Sequence, residues 1–187
     1  MPVAAVTERI ILPFFARPPY PDVFAIARML EVFGPHKSLI QEFCGILQGT
    51  AISGPLFEVS HVNNALPGCK NHAGFKNKVE ELLRSLPSVC DNACVLKAQP
   101  ERLLFALLAH CWHPSEKRYC AVDKGDLQRD LCWHGQTPDL DKIAKVLEDQ
   151  SFIVKSGDSW QPRVLFHLVM PEDWIRRKRE QYTEPSR

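Results

Sequence analysis

The sequence has no charge surplus of either sign: 23 Lys and Arg stand against 22 Asp and Glu, a formal net charge of +1. A chain so balanced has no global basic field to hold it on a polyanion, so phosphate binding must come from a local patch. Long apolar runs are missing as well. The opening MPVAAVTERIILPFF breaks at Pro13, and no basic segment leads into an apolar core. Neither a secretory leader nor a membrane span is expected. Nor is there a phosphate loop, a GxGxxG, a HExxH or a GxSxG, so nucleotide, metalloprotease and serine-hydrolase chemistry lack their usual signatures. A regular cysteine framework is also missing. The seven cysteines (Cys44, Cys69, Cys90, Cys94, Cys111, Cys120 and Cys132) are odd in number and spread through helical patterns. That spread argues against a secreted disulfide scaffold and for reduced thiols in the cytoplasm or nucleus.

What is present suits a folded chain. Hydrophobic residues make up 45% and charged residues 24%, which excludes wholesale disorder. At 187 residues the chain forms one large domain or two small ones.

The first stretch, through Tyr20 and Pro21, carries Pro13, Pro18 and Pro19 and reads as an extended arm. Asp22 is a candidate cap for a helix to about Phe33, with Phe24, Ala27 and Leu30 inward and Val23 and Ile26 as further inward candidates. Gly34-Pro35 stops it. A second helix, about Lys37 to Gln48, turns Leu39, Ile40, Phe43, Cys44 and Leu47 inward. After a loop over 49–55, FEVSHVNNALPG reads as a short helix closed by Pro67-Gly68. A longer helix, about His72 to Leu86, places Phe75, Val79, Leu82, Leu83 and Leu86 on one face. Short β-type runs around Val89 and from Cys94 to Lys97 flank Asp91-Asn92. Helix, short helix, longer helix, hairpin is the element order of a winged helix.

The order then repeats. ERLLFALLAHCW is apolar on every side, as expected of a buried helix. Asp123 caps a short helix to about Trp133. Thr137-Pro138-Asp139 opens another, carrying Leu140, Ile143, Ala144 and Leu147 inward to about Gln150. FIVK and RVLFHLV read as a hairpin about Ser156–Ser159. PEDWIRRKREQY is a last helix. The expectation is an α+β fold, mainly helical. It comprises a Pro-rich arm plus helix (1–36), two winged-helix-like modules in tandem (37–98 and 100–170) and a basic C-terminal helix (171–187). The competing arrangement is one irregular α+β domain built from the same elements.

The segment GFKNKVEELLRSLPSVC, followed by CVLKA, resembles the end of the LOTUS (OST-HTH) family of winged helices through Gly74, Phe75, Leu82, Leu83, Leu86, Pro87, Val89 and Val95. There a Leu-rich helix runs into a Ser-Leu-Pro-like turn and a short strand pair. The resemblance spans residues 74–97. It implies RNA regulation, with structured RNA or a DEAD-box RNA helicase as partners. The second module lacks the Ser-Leu-Pro turn, and the loop over 49–55 departs from the family's compact one.

Local chemistry is sparse. Cys111-Trp112-His113 and Cys132-Trp133-His134, with Cys120 between, offer zinc-type ligands. Their spacing fits zinc modules poorly, as does Cys90-x3-Cys94, and buried thiols with core aromatics explain them better. The close carboxylates Glu80-Glu81, Asp139 with Asp141, and Glu148-Asp149 read as solvated helix faces. No cysteine stands at a helix start beside a histidine and an orienting acid. A non-catalytic protein without cofactor or metal is expected.

Charge separates the two modules' third helices. Lys70, Lys76, Lys78 and Arg84 outweigh Glu80 and Glu81, whereas Lys142 and Lys145 are outweighed by Asp139, Asp141, Glu148 and Asp149. A groove-entering helix must neutralise phosphates, which suits the first and not the second. The candidate nucleic-acid contacts are therefore Lys70, His72, Lys76, Asn77, Lys78 and Arg84. The dense run Arg176, Arg177, Lys178 and Arg179 joins them, although it also reads as an import signal or as a charged helix end. The expected protein is an RNA-binding adaptor whose second module binds protein. The alternative is a pure protein-interaction module.

Overall fold

A computed structural model describes residues 7–50, 54–87, 89, 100–116, 118–131 and 139–183. The fold is mainly helical with small sheets, an α+β arrangement. The chain divides into two compact units, Met1–Leu82 with Val164–Met170, and Leu83–Arg163 with Pro171–Arg187.

The first unit opens with a helical turn, Thr7–Ile11 and Leu12–Phe14, where an extended arm was expected. Pro13 suits the first turn of a helix, where its missing N–H costs nothing. Ile11 and Phe15 are buried, and the Phe15 ring lies 4.7 Å from Phe57, so this segment packs on its own unit. β1 (Tyr20–Pro21) pairs in parallel with β2 (Leu56–Phe57). Between them run α1 (Val23–Phe33) and α2 (Lys37–Gln48). Asp22 caps α1 as expected, accepting from the Ala25 N–H at 2.5 Å. The inward set of α2 is as expected, with Leu39, Ile40, Phe43, Cys44 and Leu47 all buried.

The inward face of α1 is not the expected one. Ala25, Met29, Val32 and Phe33 are buried, while Val23 and Phe24 are 69% and 70% exposed. VFAIARMLEVF carries apolar residues on two stripes, and periodicity alone cannot choose between them. α3 (Val59–Asn71) runs straight through Pro67 and Gly68, where a stop was expected. Buried Leu66 and Cys69 continue its inner stripe and offset the hydrogen bond lost at proline. Gly68 faces Ile46 of α2, and an added Cβ would lie 3.4 Å from that side chain. α4 (Ala73–Arg84) follows, with Phe75 and Val79 buried and Leu82 only half-buried. Of the expected wing of this module, Val89 is described and buried, whereas Cys90 and the run from Asp91 to Lys97 lie outside the described residues.

The second unit is built on α5 (Pro100–Cys111), in which every residue from Leu103 to Leu108 is buried, as its all-round apolarity implied. A hairpin of β3 (Trp112–His113) and β4 (Arg118–Tyr119) leads to β5 (Val122–Asp123). Next come α6 (Lys124–Leu131) and α7 (Leu140–Asp149), the latter with Leu140, Ile143, Ala144 and Leu147 buried. Asp139 caps α7, accepting from the Lys142 N–H at 3.2 Å; Thr137, the expected cap, and Pro138 lie outside the described residues. β6 (Ile153–Ser156) and β7 (Ser159–Pro162) close an antiparallel sheet of order β5-β7-β6. Ser156 pairs with Ser159, which leaves Gly157-Asp158 as the turn; Gly157 takes φ +60°, the conformation such turns need.

The second strand of this hairpin is SWQP, not RVLFHLV. Phe166–Val169 forms α8, which packs on α3 in the first unit, and the Leu165 N–H donates to the Val32 carbonyl at 2.8 Å. Pro162 ends the strand because it offers no ladder donor. The last helix, α9 (Glu172–Thr183), belongs to the second unit and lies against α5, with the Trp174 and Phe105 rings 5.8 Å apart.

Candidate functional site

The basic candidates of the first unit gather where α3 meets α4. His72 joins the two helices in an extended conformation, its N–H donating to the Cys69 carbonyl at 3.1 Å. Its Nδ1 accepts from the Phe75 N–H at 3.2 Å and so caps α4. The same nitrogen lies 3.3 Å from Glu42 Oε1. One nitrogen cannot accept from Phe75 and donate to Glu42 together, so cap and ion pair exclude each other. Gly74 permits this approach, because a Cβ there would collide with the Glu42 carboxylate.

From that corner the outer side of α4 presents Lys76 and Asn77, both exposed, opposite buried Phe75 and Val79. Lys78 is engaged: its ammonium lies 2.8 Å from Glu81, and the hydrogen bond and charge of Glu81, then Glu42, raise its pKa. The charge this face offers is therefore smaller than a count along the helix suggests. Lys70 is half-buried in the last turn of α3. Burial, and then the charge of Lys70, push His167 on α8 down to a pKa of about 4. Arg84 is exposed but belongs to the second unit, so the set gathered in one unit is Lys70, His72, Lys76, Asn77 and Lys78.

On α9 the basic run is anchored by apolar neighbours. Trp174 and Ile175 are buried, Arg177 pairs with Asp173 at 2.8 Å, and the Lys178 ammonium stands 5.7 Å from the Trp174 ring centre. Arg176 and Arg179 are exposed. In the second unit the acids of α7 are committed locally. Asp139 caps the helix, Asp141 bridges Lys124 and Lys155, Glu148 accepts from the Trp160 indole N–H at 3.3 Å, and Asp149 pairs with Lys145.

Cys44, Cys69 and Cys111 are buried, and burial pushes each thiol up to about 12, so none is an ionised nucleophile near neutral pH. Among the described residues, no three His, Cys, Asp or Glu side chains converge as metal ligands. Cys132, Trp133 and His134 lie outside those residues, as do Cys90 and Cys94. No helix among the described residues is long and apolar enough to cross a membrane.

The sequence reading offered Tyr20 and the arm as a docking surface but turned Val23 and Phe24 inward, and so missed part of that surface. Val23 and Phe24, at the start of α1, are exposed close in the chain to Tyr20, which is also exposed and pairs with exposed Leu56 across β1 and β2. The signal was available: Phe24, Arg28 and Glu31 share one helical stripe, and Arg28 and Glu31 pair at 2.7 Å on the outside. No family model, curated protein or solved structure matches the chain.

Proposed function

We propose that the protein is a non-catalytic RNA-binding adaptor whose α3–α4 corner contacts phosphate through Lys70, His72, Lys76, Asn77 and Lys78. The observation that carries this reading is the register of α4: Phe75 and Val79 are buried while Lys76 and Asn77 face outward. A polar row of that kind can meet a polyanion without disturbing the core. The fold reading that goes with it is winged-helix-like. In its favour are the second unit's order of helix, β3–β4 hairpin, strand, two helices and β6–β7 hairpin and its β5-β7-β6 sheet, although the β3–β4 hairpin is an addition to the winged-helix order. The first unit has α2, β2, α3 and α4 in the matching order. The LOTUS resemblance of residues 74–97 adds structured RNA and a DEAD-box RNA helicase to the partners worth trying.

The test is a titration with structured RNA, single-stranded RNA and duplex DNA at two salt concentrations. Reversing Lys76 and Lys78 to Glu should weaken RNA binding strongly and flatten its salt dependence by about one unit of slope per lost contact. Because Lys78 is already paired with Glu81, Lys76→Glu alone should account for most of the loss. Lys142→Glu with Lys145→Glu should do much less. Equal losses from the two pairs, or no RNA affinity at low salt, would sink the proposal.

A second reading has its own observation, the exposed apolar set Tyr20, Val23, Phe24 and Leu56. It makes the first unit a seat for the apolar side chains of a protein partner. Phe24→Ser should then abolish capture of that partner while leaving any RNA affinity unchanged.

A further inference from the structure

The second unit holds two cysteines in a relation that no reading of the charged surfaces uses. In the β3–β4 hairpin Trp112 is opposite Tyr119 and His113 opposite Arg118. One step further along the same register puts Cys111, the last residue of α5, opposite Cys120. The ladder does extend that far, because the Cys120 N–H donates to the Cys111 carbonyl at 2.9 Å. The Trp112 and Tyr119 rings meet edge-to-face at 5.3 Å, which fixes the register independently. Directly opposed residues of an antiparallel pair have Cα atoms about 4.5–5.5 Å apart. Disulfides form at Cα separations of about 4.4–6.8 Å. Both cysteines are free thiols.

We propose that Cys111 and Cys120 form a reversible disulfide that fastens the 112–119 hairpin to the end of α5. The two thiols differ in access. Cys120 is partly exposed, so a soluble oxidant reaches it first. Cys111 is fully buried, its thiol raised to about 12, mainly by burial and in smaller part by the neighbouring Cys120, so it reacts with the partner opposite it and not with solvent reagents. With a low-molecular-weight disulfide as oxidant, the Cys120 thiolate attacks one of its sulfurs and releases one small thiol, leaving a mixed disulfide. The Cys111 sulfur, as it loses its proton, then attacks Cys120 Sγ and expels the second small thiol. Two protein thiols become one protein disulfide, and the small disulfide is reduced to two thiols that take up both protons. Close placement of the pair offsets the small thiolate fraction at Cys111.

The full chain, equilibrated with oxidised and reduced glutathione over a range of ratios, provides the test. Trypsin cuts after Arg102, Lys117, Arg118 and Lys124, so the two cysteines end on separate peptides, Leu103–Lys117 and Tyr119–Lys124. Oxidised protein digested without reductant should yield these two peptides joined, and reductant should separate them. Under the same conditions Cys44 and Cys69 should stay reduced. Cys120→Ser, which leaves the buried Cys111 side chain in place, should abolish the joined species. Cys120 found joined to the peptide carrying Cys132, or only capped by glutathione at every ratio, would overturn the proposal.

Discussion

The Lys155 ammonium on β6 donates to Asp141 Oδ1 on α7 at 3.2 Å, and Lys124, at the start of α6, holds the other carboxylate oxygen. One carboxylate thus ties two helices and a strand together. The hydrogen bond from Lys124, followed by that from Lys155, holds Asp141 below the usual carboxylate range. The stability linked to this group is present above the unfolded-state pKa of about 3.9 and is lost as pH falls through the lower folded value. A carbon-detected NMR titration should find Asp141 titrating below the usual carboxylate range. Lys124→Gln should return it toward the ordinary range, and Lys155→Gln should shift it less. An ordinary Asp141 midpoint in the unaltered protein would contradict the bridge.

His167 adds a second loss of stability on the acid side, at higher pH than Asp141. Burial first, and the charge of Lys70 second, lower its folded pKa to about 4, against about 6.5 unfolded. The unfolded chain therefore binds a proton that the folded one refuses. Stability should be full above about pH 6.5 and should decline as pH falls toward about 4, with no further loss from this group below that. The ring is only partly buried, so the loss should be about 1–2 kcal/mol. Urea unfolding across that window should show the decline, and His167→Gln should flatten it. An unchanged slope in that variant would assign the pH dependence elsewhere.

Two substitutions separate core from surface. Leu147→Ala in α7 removes a fully buried side chain and should cost about 2–5 kcal/mol in denaturant unfolding. Phe24→Ala in α1 removes a larger side chain that is 70% exposed, and should cost less than about 0.5 kcal/mol. A loss at Phe24 comparable to that at Leu147 would mean that α1 presents its other stripe to the core.

The contrast between α1 and α2 shows where sequence reasoning has purchase. In α2 the apolar residues form one stripe bordered by Lys37, Gln41, Glu42 and Gln48, so a single face can be the inner one. In α1 almost every residue is apolar, and the choice rests on where Arg28 and Glu31 must reach water. Pro67-Gly68 misleads for a related reason: local propensity argues for a stop, but the burial of Leu66 and Cys69 continues the helix. RVLFHLV has the composition of a strand yet ends up in α8, because the ladder closes with Pro162 and the following residues find an apolar seat on α3. At the candidate site the register of α4 was legible from Phe75 and Val79. The neutralisation of Lys78 was not fully legible: Glu81 is close in sequence, but Glu42 arrives from another helix.

The return of residues 164–170 to the first unit has a consequence for biosynthesis. A chain emerging from the ribosome makes α1 and α3 early, but α8 and the Leu165 N–H that meets Val32 appear only after the whole 83–163 segment has been made. Until then the seat on α3 that receives α8 lacks its own cover, and nascent chains stalled before residue 164 should present it to chaperones. A deletion within residues 164–170, which come after residues 83–163 in the sequence, would therefore register as a folding defect in the first unit.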